Sequence, residues 1–294
     1  MNKLLITLFL FLSIPLFSQN LYDAKDYIFY VDGIKEYALL STPKIAKPMN
    51  GFPIIIIIHG HVPEEIYSTE NSYKGIFRTY ASSEFVVVKP DLMGHGRSEK
   101  SREYNSLVNK LLFPKDIIAL IESLDFDNFI DKNNIFIMGH SNGGETTLRI
   151  LTSYPNLING ASLWAPVSVK LEESNFYYRG SGRRMFGLEA LDNPESKKFI
   201  DEELIKLKDP IINLGFPNLD SVRYLNKLGN ILSPIIIRHG DNDKSVPLSW
   251  SLKLVDEIKN QNSKIEVTLV KYPGDDHNLA KNQRSALLAD LDWF

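Results

Sequence analysis

Gly139-His140-Ser141-Asn142-Gly143 stands where an apolar run, "IFIM", gives way to "GHSNGGETT". G-x-S-x-G between a strand and a helix is the pattern in which a serine occupies a strained turn and its flanking glycines let the helix approach the strand. The helix that follows would set its positive end beneath the hydroxyl and favour an anion in front of it. A serine hydroxyl is a poor nucleophile until a base removes its proton, so a histidine must reach it and an acid must orient that histidine. The chemistry such a trio performs is acyl transfer. The bland alternative, a glycine-rich turn with no chemical role, is set against that strand-to-helix context.

Downstream of Ser141 the histidines are His239 and His277. For a nucleophile of this type the chain order is serine, then acid, then histidine. His239, in "PIIIRHG", comes before any acid that could precede it in that order. His277, in the loop "YPGDDHNL", is the candidate base. For the acid, "HGDNDKSVP" offers Asp241 and Asp243. Asp243 lies further into the loop and is preferred, whereas Asp241 suits a local backbone-capping turn. Asp275 and Asp276 are too near His277 in sequence to be first choice, and all these aspartates could instead only cap turns. The oxyanion of an acyl-transfer intermediate needs two preorganised donors, worth about 3 kcal/mol each. Asn142 supplies one backbone N–H, and His61, after the loop residues His59-Gly60, supplies the other. The side chain of His61 is read as a structural hydrogen-bonding group. His140 is read as a packing residue whose side chain points away from the chemistry.

The elements that must hold these residues alternate along the chain. Asp32-Gly33 between two runs of strand formers is a hairpin signal. "FPIIIIIHG" carries five successive isoleucines, residues 54–58, which predicts a strand buried on both faces. A mixed segment, residues 64–82, is followed by the strand "FVVVKPD", a helix over "FPKDIIALIESL", the strand "IFIMG", a helix over residues 144–154 and the strand "GASLWAP". After an irregular stretch come "PIIIRHG", a helix over residues 248–259, the strand "KIEVTLVKY" and a last helix ending "LLADLDWF". This alternation predicts an α/β fold, a mostly parallel sheet with helices on both faces. Binding and catalytic groups collect at the carboxyl ends of such strands. His59, His61, His239, His277 and Ser141 all fall there. Residues 168–232 break the rhythm and are read as a helical cap inserted over the sheet edge. In that insertion Tyr177, Tyr178 and Arg179, with Phe176, Arg183 and Arg184, could line an acyl or aryl pocket, or could only pack and solvate the cap.

Other chemistries find little support. The chain of 294 residues has 33 basic and 36 acidic residues, a net charge of -3 and no block of one sign, so nothing points to nucleic acid. It contains no cysteine, which removes disulfides, lipid-modified cysteine and thiolate metal sites. "DLMGHGRSE" has the glycines of a phosphate cradle but neither G-K-[ST] nor G-x-G-x-x-G. No H-E-x-x-H or short ligand pair supports a metal among His59, His61, His95 and Asp91. No cofactor and no metal are therefore expected. The opening "MNKLLITLFLFLSIPLFSQN" has one lysine, an apolar run and a polar end, the layout of a secretory signal peptide over residues 1–18. The run is short for a membrane span, although the bulky Leu16 near the cleavage region leaves a retained anchor as the alternative. Residues 19–294 then form the folded domain, secreted or periplasmic and not stably inserted in a membrane.

With "IIIIIHGHVP", "VVVKPDLMGHGRSE", "IFIMGHSNGGE", "IIIRHGDNDKSVP" and "YPGDDHNL" in this order, the chain resembles the alpha/beta-hydrolase superfamily over its mature length. Within it, the chain is most similar to the catalytic domain of the prolyl oligopeptidase type. The resemblance implies a sheet of about eight strands, Ser141 as nucleophile, Asp243 as acid and His277 as base. Residues 19–51 are too few for that family's amino-terminal propeller, which is expected to be absent. Related peptidases often carry an aromatic residue where Asn142 stands and a second glycine where His61 stands. Both departures favour a carboxylic ester as substrate over a short peptide. A serine peptidase, a lyase or perhydrolase on the same scaffold, and a binding protein without catalysis are the competing readings.

Overall fold

The computed structural model describes residues 21–100, 111–124, 129–178 and 222–294, together with positions 198, 202, 205, 208 and 212. The expected leader, residues 1–18, and Arg179, Arg183 and Arg184 lie outside the described residues. So does most of the interior of the inserted segment.

Eight strands form one sheet: β1 (Tyr22–Val31), β2 (Ile34–Pro43), β3 (Phe52–Ile58), β4 (Val86–Asp91), β5 (Ile130–His140), β6 (Gly160–Trp164), β7 (Ile235–Gly240) and β8 (Val267–Tyr272). Their order is β1-β2-β4-β3-β5-β6-β7-β8. β2 pairs antiparallel with β1 and β4, while the pairings from β4 through β3 to β8 are parallel. The β1–β2 hairpin turns at Asp32 (φ 51°) and Gly33 (φ 82°). Positive φ at both central residues is what a two-residue turn matching the strand twist requires.

Among the described residues the α-helices with continuous spans are α1 (Lys74–Ala81), α2 (Phe113–Ser123), α3 (Asn142–Ser153), α4 (Leu171–Tyr178), α5 (Leu248–Gln261) and α6 (Gln283–Trp293). β3 shows why an unbroken isoleucine run is needed. Side chains alternate across a strand, so Ile54, Ile56 and Ile58 pack with α2, α3 and α5 residues such as Ile117, Leu148 and Leu254. Ile55 and Ile57 pack with Phe77 and Tyr80 of α1 and Leu287 of α6 on the other face. All five isoleucines are fully buried. α3 starts at Asn142, two positions before the expected Gly144, because the strain of the turn is confined to Ser141. The last strand starts at Val267 rather than Lys264, since Asn262 draws Lys264 and Ile265 into a turn through their N–H groups.

A buried polar network pins α6 to the sheet. Asp290 accepts hydrogen bonds from Arg238 Nε (2.6 Å), Ser162 Oγ (2.8 Å), Tyr80 Oη (2.8 Å) and Trp164 Nε1 (3.0 Å). Asp290 is 0% and Arg238 2% exposed, so neither charge has water to fall back on.

A second buried acid makes stability depend on pH. Glu36 on β2 is inaccessible, and neither carboxylate oxygen has a hydrogen-bond partner among the described residues. Burial, with Asp116 and Asp91 nearby, pushes its carboxyl up to about 9. The folded state thus holds a proton that the unfolded chain releases near pH 4.5. That contribution is complete below this value and is lost as pH rises through about 9. Glu36→Gln removes the linked proton. Its melting temperature should exceed that of the wild type by on the order of 5 °C at pH 8, with the gap widening from pH 6 to 9. Parallel melting curves against pH would refute this assignment.

Candidate active site

The sheet reverses its winding at β3: the chain passes from β3 to β4 on one side and then to β5 on the other. A crevice opens at such a point beyond the carboxyl ends of the strands. Gly60 follows β3 there, and Ser141 follows β5.

Ser141 has φ 56° and ψ -117°. Such backbone costs about 1–3 kcal/mol for a residue with a Cβ and survives only where the surroundings over-determine it. They do so here. Ser141 N–H donates to Trp164 O (2.8 Å), and Ser141 O accepts from Gly144 (3.0 Å), Val167 (3.2 Å) and Glu145 (3.3 Å). The flanking glycines are obligatory by contact. A Cβ on Gly143 would lie 2.1 Å from Ile58 O, and one on Gly139 would lie 2.4 Å from Thr147 Oγ1. Gly60 is equally tight, since its Cβ would meet Ser141 Cβ at 2.8 Å. The loop after β3 is thus pressed against the serine.

His277 and Asp243, contributed by different loops, meet. His277 Nδ1 lies 2.7 Å from Asp243 Oδ2. Asp243 Oδ1 accepts the N–H groups of Ser245 (2.7 Å) and Val246 (2.9 Å). His239, set aside as base, lies fully buried behind the acid, with Nε2 3.3 Å from Asp243 Oδ2 and 3.1 Å from Val246 O. Burial pushes the Asp243 carboxyl up. Hydrogen bonds from His239, His277 and Val246, with the charge of His277, outweigh it and hold the group well below the usual carboxylate range. Asp243 is therefore a fixed anion beside His277. Asp241 instead accepts Gly274 N–H (2.6 Å) at the surface of the same loop.

The loop carrying His277 is itself fastened. Buried Asp275 accepts N–H groups from Asp276, Lys281 and Asn282, and the Asn282 side-chain amide. Gly240 lets β7 pass beneath it, since a Cβ there would meet Asp275 O at 2.4 Å.

Of the expected oxyanion donors, Asn142 opens α3, whose first N–H groups have no partner within the helix. Gly60 N–H is already given to Tyr73 Oη (2.7 Å). Among the described residues His61 N–H goes to no backbone acceptor. The side chain of His61 is exposed. His95, from the "GHG" stretch, steadies the loop: its ring nitrogens lie 3.1 Å from Val62 O and 3.2 Å from Met93 O.

The expectation that the side chain of His140 points away from the chemistry needs correction. Its ring is buried and lies against the His277 ring, with centroids 4.6 Å apart. Its Nε2 is 3.0 Å from His277 O and its Nδ1 is 2.5 Å from Tyr73 Oη. A register argument from one strand does not foresee this, because the partners come from the residue just before α1 and from the loop after β8. Tyr73 carried no sequence signal either, being a lone tyrosine in "NSYKG".

Of the candidate substrate contacts, Tyr177 is buried and packs edge-on against Trp250 (5.0 Å), together with Val167 and Val246. Tyr178 is 45% exposed and donates to Ser245 O (3.2 Å). Both border the loop of Asp243. Arg179 lies outside the described residues, as does the side chain of Phe176.

The strained serine at the end of a parallel strand, the acid–histidine pair on neighbouring loops and the eight-stranded sheet define an alpha/beta hydrolase, a serine hydrolase by class. The chain belongs to the prolyl oligopeptidase family, peptidase family S9, whose match covers residues 71–294. Among curated relatives it is similar to YitV of Bacillus subtilis, which bears a provisional esterase name: 27% identity, over 82% of this chain and 88% of that one. The monoacylglycerol lipase of Mycolicibacterium smegmatis is 22% identical over 81% of this chain and 85% of its own length. Among solved structures, Pyrococcus horikoshii acylaminoacyl peptidase superposes with a TM-score of 0.66 at 17% identity, covering 94% of this chain but 42% of that one. The protein Est1E of Butyrivibrio proteoclasticus, solved with ferulic acid, gives 0.58 at 21% identity, covering 90% and 98%. These two likenesses are of fold.

Proposed function

We propose that the protein hydrolyses carboxylic esters through an acyl-enzyme on Ser141, with His277 as base and Asp243 as its orienting acid. The observation that carries the reading is the 2.7 Å contact between His277 Nδ1 and Asp243 Oδ2, in a chain whose Ser141 stands at φ 56° in a strand-to-helix turn. An anionic acid at Nδ1 keeps the proton there and leaves Nε2 with a lone pair. Ser141 Oγ attacks the ester carbonyl carbon as its proton passes to His277 Nε2. The oxyanion is met by the N–H groups of His61 and Asn142. Collapse expels the alcohol, which takes the proton from His277, and water attacking the acyl-enzyme with His277 again as base releases the acid and frees the serine.

Ester is preferred to peptide because Asn142 and His61 replace the residue types that related peptidases carry, and because YitV and the M. smegmatis lipase bear esterase and lipase names. Family membership supplies the second reading, an aminopeptidase or oligopeptidase using the same trio. Assays with short p-nitrophenyl esters and with aminoacyl anilides separate the two. Ester turnover should exceed anilide turnover by at least about a hundredfold, and the reverse order replaces this reading with the peptidase one. A fluorophosphonate should label the wild type at Ser141 and leave Ser141→Ala unlabelled. Equal labelling of both rejects the assignment.

A further inference from the structure

Three elements that must cooperate in this reaction are linked through two side chains outside the trio. Gly60, on the loop that presents the His61 N–H, has only a hydrogen to offer and gives it to Tyr73 Oη (2.7 Å). The carbonyl of His277 can only accept, so His140 Nε2, 3.0 Å away, must carry the hydrogen. In a neutral ring Nδ1 is then a bare acceptor. The remaining hydrogen of Tyr73 must point at it, across 2.5 Å. Every direction in the series is thus determined by the groups at its two ends.

We propose that Tyr73 and His140 are positioning residues. One directed chain, from Gly60 N–H to Tyr73 Oη, from Tyr73 O–H to His140 Nδ1, and from His140 Nε2–H to the His277 carbonyl, sets the oxyanion loop and the base loop relative to Ser141. The groups around the His140 ring favour its neutral form. Burial first, then the neighbouring His277 ring, lower its pKa to about 3, against opposing pulls from the hydrogen bond to the His277 carbonyl and then from Asp243. Tyr73 is held as a phenol by burial, which pushes its pKa well above the ordinary phenol range. No proton is gained or lost by the chain near neutral pH, so its role is geometric. Tyr73 also sits at φ 59°, just before α1, a strained position held by these contacts. Displacing catalytic groups by about 1 Å costs on the order of a hundredfold in rate, so even a small slackening of this link should be measurable.

The inference rests on the hydrolase reading, and its test separates the two. The second-order rate of fluorophosphonate labelling at Ser141 measures activation of the serine without reference to substrate choice. Tyr73→Phe removes the middle of the chain. His140→Gln retains a donor towards His277 but no acceptor for Tyr73, and His140→Asn does the opposite. Each should label about tenfold or more slowly than wild type. On a p-nitrophenyl ester, kcat should fall by a similar factor with KM within about twofold. In Tyr73→Phe/His140→Gln the loss should be no larger than in the worse single variant, because either change opens the same chain. Labelling rates within twofold of wild type in all three single variants, or losses that multiply in the double variant, overturn the proposal. Should Tyr73→Phe melt below the assay temperature, the two His140 variants carry the test. A wild type that takes no label overturns the hydrolase reading and this inference with it.

Discussion

Asp243→Asn should lower kcat by about 10³–10⁴-fold with the protein still folded, while Asp241→Asn changes it by less than about threefold. The difference follows from what each oxygen holds. Asp243 Oδ1 accepts two backbone N–H groups, so in an asparagine the oxygen stays on that side. The amide NH₂ then faces His277 Nδ1. An N–H there forces Nδ1 to become the acceptor and moves the ring proton to Nε2, where it blocks uptake of the serine proton. The same NH₂ also confronts His239, whose Nε2 lies 3.3 Å from the oxygen it replaces. Asp241 accepts one N–H, from Gly274 (2.6 Å), which an asparagine oxygen can still do. Steady-state kinetics on both variants, with active sites counted by fluorophosphonate, is the measurement. Equal losses would remove Asp243 from its assigned role.

The largest effect on stability should come from Asp290→Asn, a loss of about 3–5 kcal/mol and a fall in melting temperature on the order of 10 °C. The substitution keeps the shape and leaves the Arg238 guanidinium, 2% exposed, without a counter-charge. Tyr80, Ser162 and Trp164 also lose a charged acceptor, and the replacement amide brings hydrogens that compete for the same space. Two parts of the active site feel this. Trp164 supplies the carbonyl that accepts Ser141 N–H (2.8 Å), and α6 anchors the chain that has just left the His277 loop. Removing both charges with Arg238→Met/Asp290→Leu should recover much of the loss, since a buried pair is costly mainly when one partner stands alone. Thermal melts of the single and double variants decide it. A double variant no more stable than Asp290→Asn would mean that packing around the charges matters more than the charges themselves.

Local pattern was enough for the scaffold. The isoleucine run at residues 54–58 has one environment that suits it, a strand covered on both sides, and the structure buries all five. Asp32-Gly33 was legible as a hairpin because positive φ at adjacent positions is a property of those residues themselves. The elbow at Ser141 was legible because G-x-S-x-G is a pattern local to one strand–turn–helix unit, and its glycines are required by contacts at 2.4 Å with Thr147 Oγ1 of α3 and 2.1 Å with Ile58 O of the neighbouring β3. The pairing of Asp243 with His277 was legible through chain order and loop position, each following a strand that a parallel sheet must align with its neighbours.

What could not be read was whatever depends on two loops meeting. His140 looked like filler, because its partners, Tyr73 and His277, lie 67 and 137 positions away. His239 could be excluded as the base, but its place behind Asp243 follows only from how the loop after β7 folds back on its strand. Tyr177 read as a candidate substrate contact, with packing in the cap the commoner role for such a residue, and its packing on Trp250 settles only where it sits. By itself, then, the sequence determined the strands, the elbow and the types and order of the candidate reacting groups, since these rest on short-range sterics and periodicity. The tertiary structure alone decided which neutral side chains join those groups, because a hydrogen bond between distant segments leaves no periodic trace in the chain.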